Sequence, residues 1–304
     1  MNNNIKGIEL VWLSKTDLTN LNSGEGGTNF VDVKKYRKNN IEYPYVSGQA
    51  MRHYLRDAMR RELVRYEYMC IPDDKGEGCG EPEKCINCDL FGYMKPKKKE
   101  GASVRVSPVK VSPAVGLLSF DDNSTIDFLT RKKTKDISET KGGDIVNVEL
   151  GVNIYKCGIS LDVQRIYAEE KYNENNCTVE SFSSNGEIKK NRIDKLLNTI
   201  CYITGYSKQS RLLTDFTPDI ILGASQTKYS HRLQKAWEIN GKSEVNLQRF
   251  EEIVKELKTY STVYFGMVSA IVSNENELKA KAQELSLAIM TPLEVIKELI
   301  QTKN

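Results

Sequence analysis

A chain of 304 residues with 39% hydrophobic and 28% charged side chains can bury a sizeable core, as one large domain with insertions or as two domains, which excludes a mainly disordered polymer. Its 44 basic and 41 acidic side chains leave a net charge of +3, so any site for a polyanion must be local. No apolar run approaches the roughly 18 residues of a membrane span, and MNNNIKGIELVW lacks the pattern of a signal peptide, so a cytoplasmic protein with no membrane partner is expected.

In chain order, IKGIELVWLSKT reads as a strand that runs into NLNSGEGGTN, a loop rich in Gly, Asn and Ser. Within it SGEGG can cradle phosphate through backbone N–H groups, but it lacks the Lys and Ser/Thr of a nucleotide-binding loop, and a mobile loop is the plainer alternative. After an extended EYPYV, Ser47 reads as the N-cap of a helix from Gly48 to about Tyr66. Met51, Tyr54, Leu55, Ala58, Met59 and Leu63 form its buried stripe. On the opposite face Arg52, Arg56 and Arg60 share a row with Gln49 and His53 beside them and no carboxylate between. Like charges at this spacing cost a helix roughly 0.2 to 0.5 kcal/mol per pair. The row therefore asks for an anion, as does the positive end of the helix dipole. A solvated basic face is the alternative.

Between Val31 and Tyr66 nine basic residues stand against four acids, a surplus larger than that of the whole chain. Lys34, Lys35 and Arg37 precede the helix. With Tyr36, Tyr43, Tyr45 and Tyr54 interleaved, the segment has the charge and stacking composition of a groove for single-stranded nucleic acid.

From Cys70 the character changes. Cys70, Cys79, Cys85 and Cys88 hold four of the seven cysteines within a stretch rich in Gly and Pro. Four thiolates complete a tetrahedral Zn2+ shell with no open position for water, so a structural zinc is expected; an iron–sulfur cluster and a disulfide knot are the alternatives. VRVSPVKVSP then places Arg105 and Lys110 on a strand-like stretch, where they can join the basic groove. The charge runs at Lys95 to Lys99 and 131–135 read as loop charge that adds affinity and little specificity.

DIVNVELGVNIYKCGISLDV alternates as one long strand or a bent pair, with Gly151 and Gly158 as candidate bulges. KKNRIDKLLNTICYIT reads as a helix, TPDIILGAS as a strand, EVNLQRFEEIVKELKTY as a helix and STVYFGMVSAIV as a strand, and a final helix is broken at Pro292. The order suits an α+β, ferredoxin-like core, although a doubly wound α/β sheet reads much the same. For catalysis there are two histidines, His53 and His231, and no nucleophile elbow, Walker loop or H-x-E signature. His53 as a general acid/base is weaker than His53 as a phosphate or base contact.

VDVKKYRKNNIEYPYVSGQAMRHYLR, followed by CDLFGYM and RVSPVKVSP, resembles the DevR or autoregulator branch of the RAMP proteins, the backbone subunits of type I (I-B-like) CRISPR Cascade complexes. The resemblance implies an RRM-like palm over 1–66 and 145–304, fingers over 67–144 holding the cysteines, and a thumb hairpin at about 205–230. It implies copies stacked in a helical filament along crRNA, beside other Cascade subunits. It also implies that each thumb displaces one base at regular intervals and leaves the rest to pair with target DNA. The RNA-binding positions carried over are Lys34, Lys35, Arg37, Ser47, Gln49, Arg52 and Arg56, with His53 adjacent. In the thumb, Lys208, Arg211 and Lys228 would meet backbone while Leu212 or Phe216 wedges bases. Asp32 matches poorly the aspartate with which type III relatives cut RNA, so no nuclease is expected. A metal-independent RNase using His53 and a zinc-containing transcriptional regulator are the rival readings.

Overall fold

In GIELVWLSKTDLT successive side chains face opposite sides of a pleated strand, and both sides are apolar at first, as in a strand covered on both faces. The computed structural model describes residues 5–24, 29–73, 76–97, 101–131, 144–173, 176–184, 186–206 and 210–302. This segment is β1 (Gly7–Thr19), with Ile8, Leu10 and Trp12 in one core and Val11 and Leu13 in another. Short strands β2 (Phe30–Val31), β3 (Lys35–Lys38) and β4 (Ile41–Val46) lead into α1 (Gly48–Arg61). The cysteine-bearing stretch ends in α2 (Ile86–Phe91) and the hairpin of β5 (Tyr93–Lys97) and β6 (Gly101–Arg105). Then come β7 (Val109–Val111), β8 (Ala114–Gly116), β9 (Ser124–Arg131) and the long β10 (Asp144–Asp162). A second hairpin, β11 (Ala168–Asn173) with β12 (Asn176–Ser181), precedes α3 (Glu187–Thr199). The chain closes through β13 (Ile220–Gln226), α4 (Leu247–Leu257), β14 (Ser261–Met267), α5 (Glu275–Glu284), β15 (Ile289–Met290) and α6 (Pro292–Gln301).

An 11-stranded mixed sheet runs β15-β14-β13-β1-β10-β8-β4-β3, with β2, β7 and β9 also paired to β10. Only β2–β10 and β14–β15 are parallel within it. Side chains of α1, α3 and α6 bury one face around Leu10, Trp12, Cys157 and Ile159, while those of α4 and α5 bury the other around Trp237, Phe250 and Phe265. None of the described helices is long and apolar enough to cross a membrane.

Several expectations are corrected. Helix α1 stops at Arg61 and not near Tyr66: between Leu63 and Tyr66 no further apolar side chain reaches the core, and Val64 and Tyr66 are exposed. The register of β1 on β10 shifts between Thr16 and Thr19, opposite Asn153 to Gly151, so the extra residue lies in β1 and not at Gly151, and the register runs evenly through Gly158. Gly158 is needed for a close approach instead, since a Cβ there would meet Gln234 Oε1 at 1.7 Å. Pro292 does not break a helix but opens α6 at its first turn, behind a Thr291–Glu294 capping box. Residues 67–144 do not form one excursion, because β7, β8 and β9 pair with β10 in the main sheet. Nor is 205–230 a free hairpin: Ile220–Gln226 is an interior strand, buried at every position. Among the described residues, the hairpin that extends past the end of β1 is β9–β10, which exposes Ile126, Phe128 and Ile145.

A carboxylate lies inside this sheet. Glu9 accepts from Gln226 Nε2 (2.9 Å), Leu233 N (3.1 Å), Gln234 N (3.3 Å) and Gln234 Nε2 (3.1 Å). Burial pushes its pKa up to about 7 although these donors pull it back. Between the unfolded value of about 4.3 and about 7 the folded chain keeps a proton that the unfolded chain has released. This group's contribution to stability is therefore full below that window, falls as pH rises through it, and is level above. Urea unfolding at about pH 5 and about pH 8 should show this decline for the wild type and a smaller one for Glu9→Gln; an equal decline in both would refute the assignment.

Candidate nucleic-acid interface and metal centre

Helix α1 begins as its sequence requires. Ser47 Oγ accepts from Ala50 N at 3.2 Å, Ser47 N donates to Asn22 Oδ1 at 3.0 Å, and no acid stands in the first turn. Gln49 and His53 are exposed on this helix. The arginine row, expected to face an outside anion, has the cysteine-bearing stretch laid along it. Arg52 donates to the carbonyl of Phe91 and, at 3.4 Å, to Ser107 Oγ. The guanidinium carbons of Arg52 and Arg56 lie 5.5 and 5.9 Å from the centre of the Phe91 ring. Arg60 donates to Cys70 O at 3.4 Å. Burial lowers the pKa of Arg52; for Arg56 burial is again the largest cause, with Arg52 and Arg60 adding to it. Both stay charged, because an arginine starts so far above neutrality.

Lys110, exposed on β7, donates to Ser107 O at 2.6 Å. Ser107 therefore gathers Arg52 and Lys110 from two distant parts of the sequence.

Other predicted contacts are already engaged. Lys35 pairs with Glu149 at 2.7 Å and lies over the Phe120 ring, and Arg37 pairs with Glu42 at 2.9 Å but is well exposed. Lys34 is half-buried beside them, its N–H bonded to Asn22 O. Tyr36 stacks on Tyr43 at 5.5 Å and meets Tyr45 edge-on, whereas Tyr54 is buried with its hydroxyl donating to Leu21 O. Tyr54 thus serves the core and is no platform for a base. Arg105 faces inward: it donates to Asp89 Oδ1, Asp89 O, Ala168 O and Arg165 O. Arg192 reaches the other oxygen of Asp89 at 2.7 Å. This buried trio was not foreseen, although an acid set between Cys88 and Leu90–Phe91 is a local hint of a buried ion.

In the stretch expected to form a thumb, Arg211 and Lys228 are exposed, and Leu212 packs against Val146, Val148 and Leu150. Phe216 is fully buried, edge-to-face with Tyr155 and Tyr206, so burial of its apolar ring excludes it as a base wedge. Lys208, Glu25 to Gly27 of the glycine loop, and 98–99 and 132–135 of the basic runs lie outside the described residues. Asp32 sits in the loop before β3, half-buried, and its carbonyl accepts from Asn20 and Gly24.

The four cysteines converge. One sulfur from each of Cys70, Cys79, Cys85 and Cys88 lies within 4.8 Å of the others. Cys88 Sγ is 3.7 Å from Cys70 Sγ and 3.5 Å from Cys79 Sγ. Four sulfurs at about 2.3 Å from a tetrahedral zinc stand about 3.8 Å apart, so the donor set fits such an ion. N–H groups point at the sulfurs: Cys70 N at 3.3 Å and Cys88 N at 3.5 Å to Cys85 Sγ, and Asn87 Nδ2 at 3.4 Å to Cys70 Sγ. The Cys88 contact, ahead of backbone donors, pushes the Cys85 thiol down to about 4, and Cys88 is raised in turn. The cluster can hold a metal ion.

Comparison with known proteins gives three findings. No curated protein matches the chain. Among the solved chains that share its fold, one is described as "CRISPR RNA-guided surveillance complex", at TM-score 0.61 and 13% identity over 98% of this chain and 100% of that one. Another, "CRISPR RNA-guided surveillance complex, pre-nicking", has TM-score 0.61 and 12% identity over 97% and 99%. The sequence profile of the CRISPR-associated negative auto-regulator DevR/Csa2 matches residues 79–233, just over half the chain. That match takes in three of the four clustered cysteines, the Asp89 trio and Lys110, and the chain belongs to the CRISPR-associated DevR/Csa2 family.

Proposed function

We propose that this protein is a non-catalytic RNA-binding subunit that lines the crRNA of a Cascade complex, copies stacking along the guide so that its bases pair with target DNA. The observation that carries the reading is the basic site at Ser107, where Arg52 and Lys110 meet beside an acid-free helix start with Gln49 and His53 exposed. Membership of the family and the shared fold with RNA-guided complexes support it. The sheet order β13-β1-β10-β8, antiparallel throughout and crossed by α1 and α3, supports a ferredoxin-like palm. The stretch from Glu62 to Arg105 is read as fingers around a structural zinc, and the β9–β10 hairpin as the thumb in place of 205–230.

The experiment is a salt titration of binding to labelled single-stranded RNA. A single strand held at Z phosphates gives a log–log slope of about −0.7Z. Lys110→Ala, an exposed change, should weaken binding several-fold and make the slope shallower by about 0.7. A flat salt response refutes the groove. Discrete cleavage of repeat RNA would favour an RNase using His53, and preference for duplex DNA would favour a regulator.

A further inference from the structure

All three guanidinium groups of the α1 row rest on the metal-binding stretch, and among the described residues no carboxylate lies within ion-pair distance of them. The link runs through Phe91. Its carbonyl and ring hold Arg52, its ring also lies under Arg56, and it is 2% exposed. Phe91 closes α2, a six-residue helix whose N-cap is Cys85 and which contains Cys88. A helix that short does not hold itself in water. Phe91 packs in the main core with Ile86 and Leu90 of the same helix, and the cysteine cluster at one end of α2 and Asp89, locked between Arg105 and Arg192, in its middle set how that helix is held. Charge points the same way. Four thiolates around a divalent ion are about two charges negative, set behind a row of cations that otherwise repel one another.

We propose that Phe91 and the cysteine centre form a template that holds Arg52 and Arg56 in place for the guide, so that metal loading and RNA binding are thermodynamically linked. The inference rests on the RNA-binding reading above and adds to it. Phe91 is a positioning residue: it touches arginines and no RNA. Arginines already immobilised lose less freedom on binding. The linkage is reciprocal, so metal tightens RNA binding and RNA tightens metal binding by the same factor at equilibrium.

The test uses the full-length protein loaded with zinc, and a fluorescent single-stranded RNA. Phe91→Leu keeps apolar bulk but removes the ring face and should weaken RNA binding about tenfold at unchanged zinc content, while Phe91→Tyr binds as wild type. With the unsubstituted protein, saturating RNA should slow zinc transfer to a chromophoric chelator, and the stripped protein should bind RNA about tenfold more weakly. A merely structural phenylalanine would not produce RNA-protected zinc. Wild-type RNA affinity in zinc-loaded Phe91→Leu, or zinc release indifferent to RNA, overturns the template. If Phe91→Leu fails to fold, the release experiment on the unsubstituted protein decides. RNA bound equally with and without zinc likewise overturns the template and leaves the RNA reading standing, whereas no RNA binding by zinc-loaded wild type sinks the RNA reading and the template together.

Discussion

Cys88→Ser should abolish metal loading and unfold residues 67–85 while the main sheet persists. Cys88 is buried within sulfur contact of both Cys70 and Cys79, and a Cβ on Gly78 would meet its sulfur at 2.8 Å, so the turn is wrapped around this atom. Apart from the cysteines, little apolar surface orders residues 67–85: Tyr68 and Ile71 are exposed and only Met69 joins the core. A structural zinc contributes on the order of 10 kcal/mol to folding, far more than these contacts. Metal content by a chromophoric chelator and limited proteolysis read the outcome. Full zinc content with an intact stretch would show that three thiols suffice and that the fourfold site is misread.

Asp89→Ala should be the costliest single change away from the sulfurs. Asp89 is fully buried and accepts from Arg105, Arg192 and Tyr167 N, the last at 3.0 and 3.1 Å. Arg192 also donates to Pro82 O and Glu83 O and lies 4.8 Å from the centre of the Tyr167 ring. One carboxylate thus ties α2, β6 and α3 together. Its removal leaves two guanidinium groups without their counter-ion, a loss of about 3 to 5 kcal/mol. Denaturant titration measures it; a loss under about 1 kcal/mol would mean that the carbonyls alone satisfy the arginines.

What was legible in the sequence was local. The Ser47 cap, the stripe from Met51 to Met59 and the cysteine spacing each depend on residues a few positions apart, and each is found in the structure. What crosses the arginine row was not legible, because Phe91 and Ser107 lie 39 and 55 positions beyond Arg52. The partner that engages Lys35, Glu149, lies 114 positions on, beyond the reach of any local pattern. Arg105 looked like a surface cation in a strand because its buried partner sits on a helix too short to show a period. The strands β7 and β8, three residues each, carry no alternation long enough to reveal that they return to the sheet. Phe216 shows the opposite error: an apolar side chain in a polar stretch was read as a wedge when the core required it.

One strand joins the two halves of this architecture. β10 has 19 residues, a length of about 60 Å at roughly 3.3 Å per residue. From Gly151 to Asp162 it is clamped against β1, with Cys157 and Ile159 under the helical layer that holds α1, and before Gly151 it pairs with β9 and β2. It is built as a cantilever, rooted in the core from Gly151 onward. A sideways force on the paired β9 and β10 strands before Gly151 therefore becomes a bending moment at that residue, where the support of β1 begins.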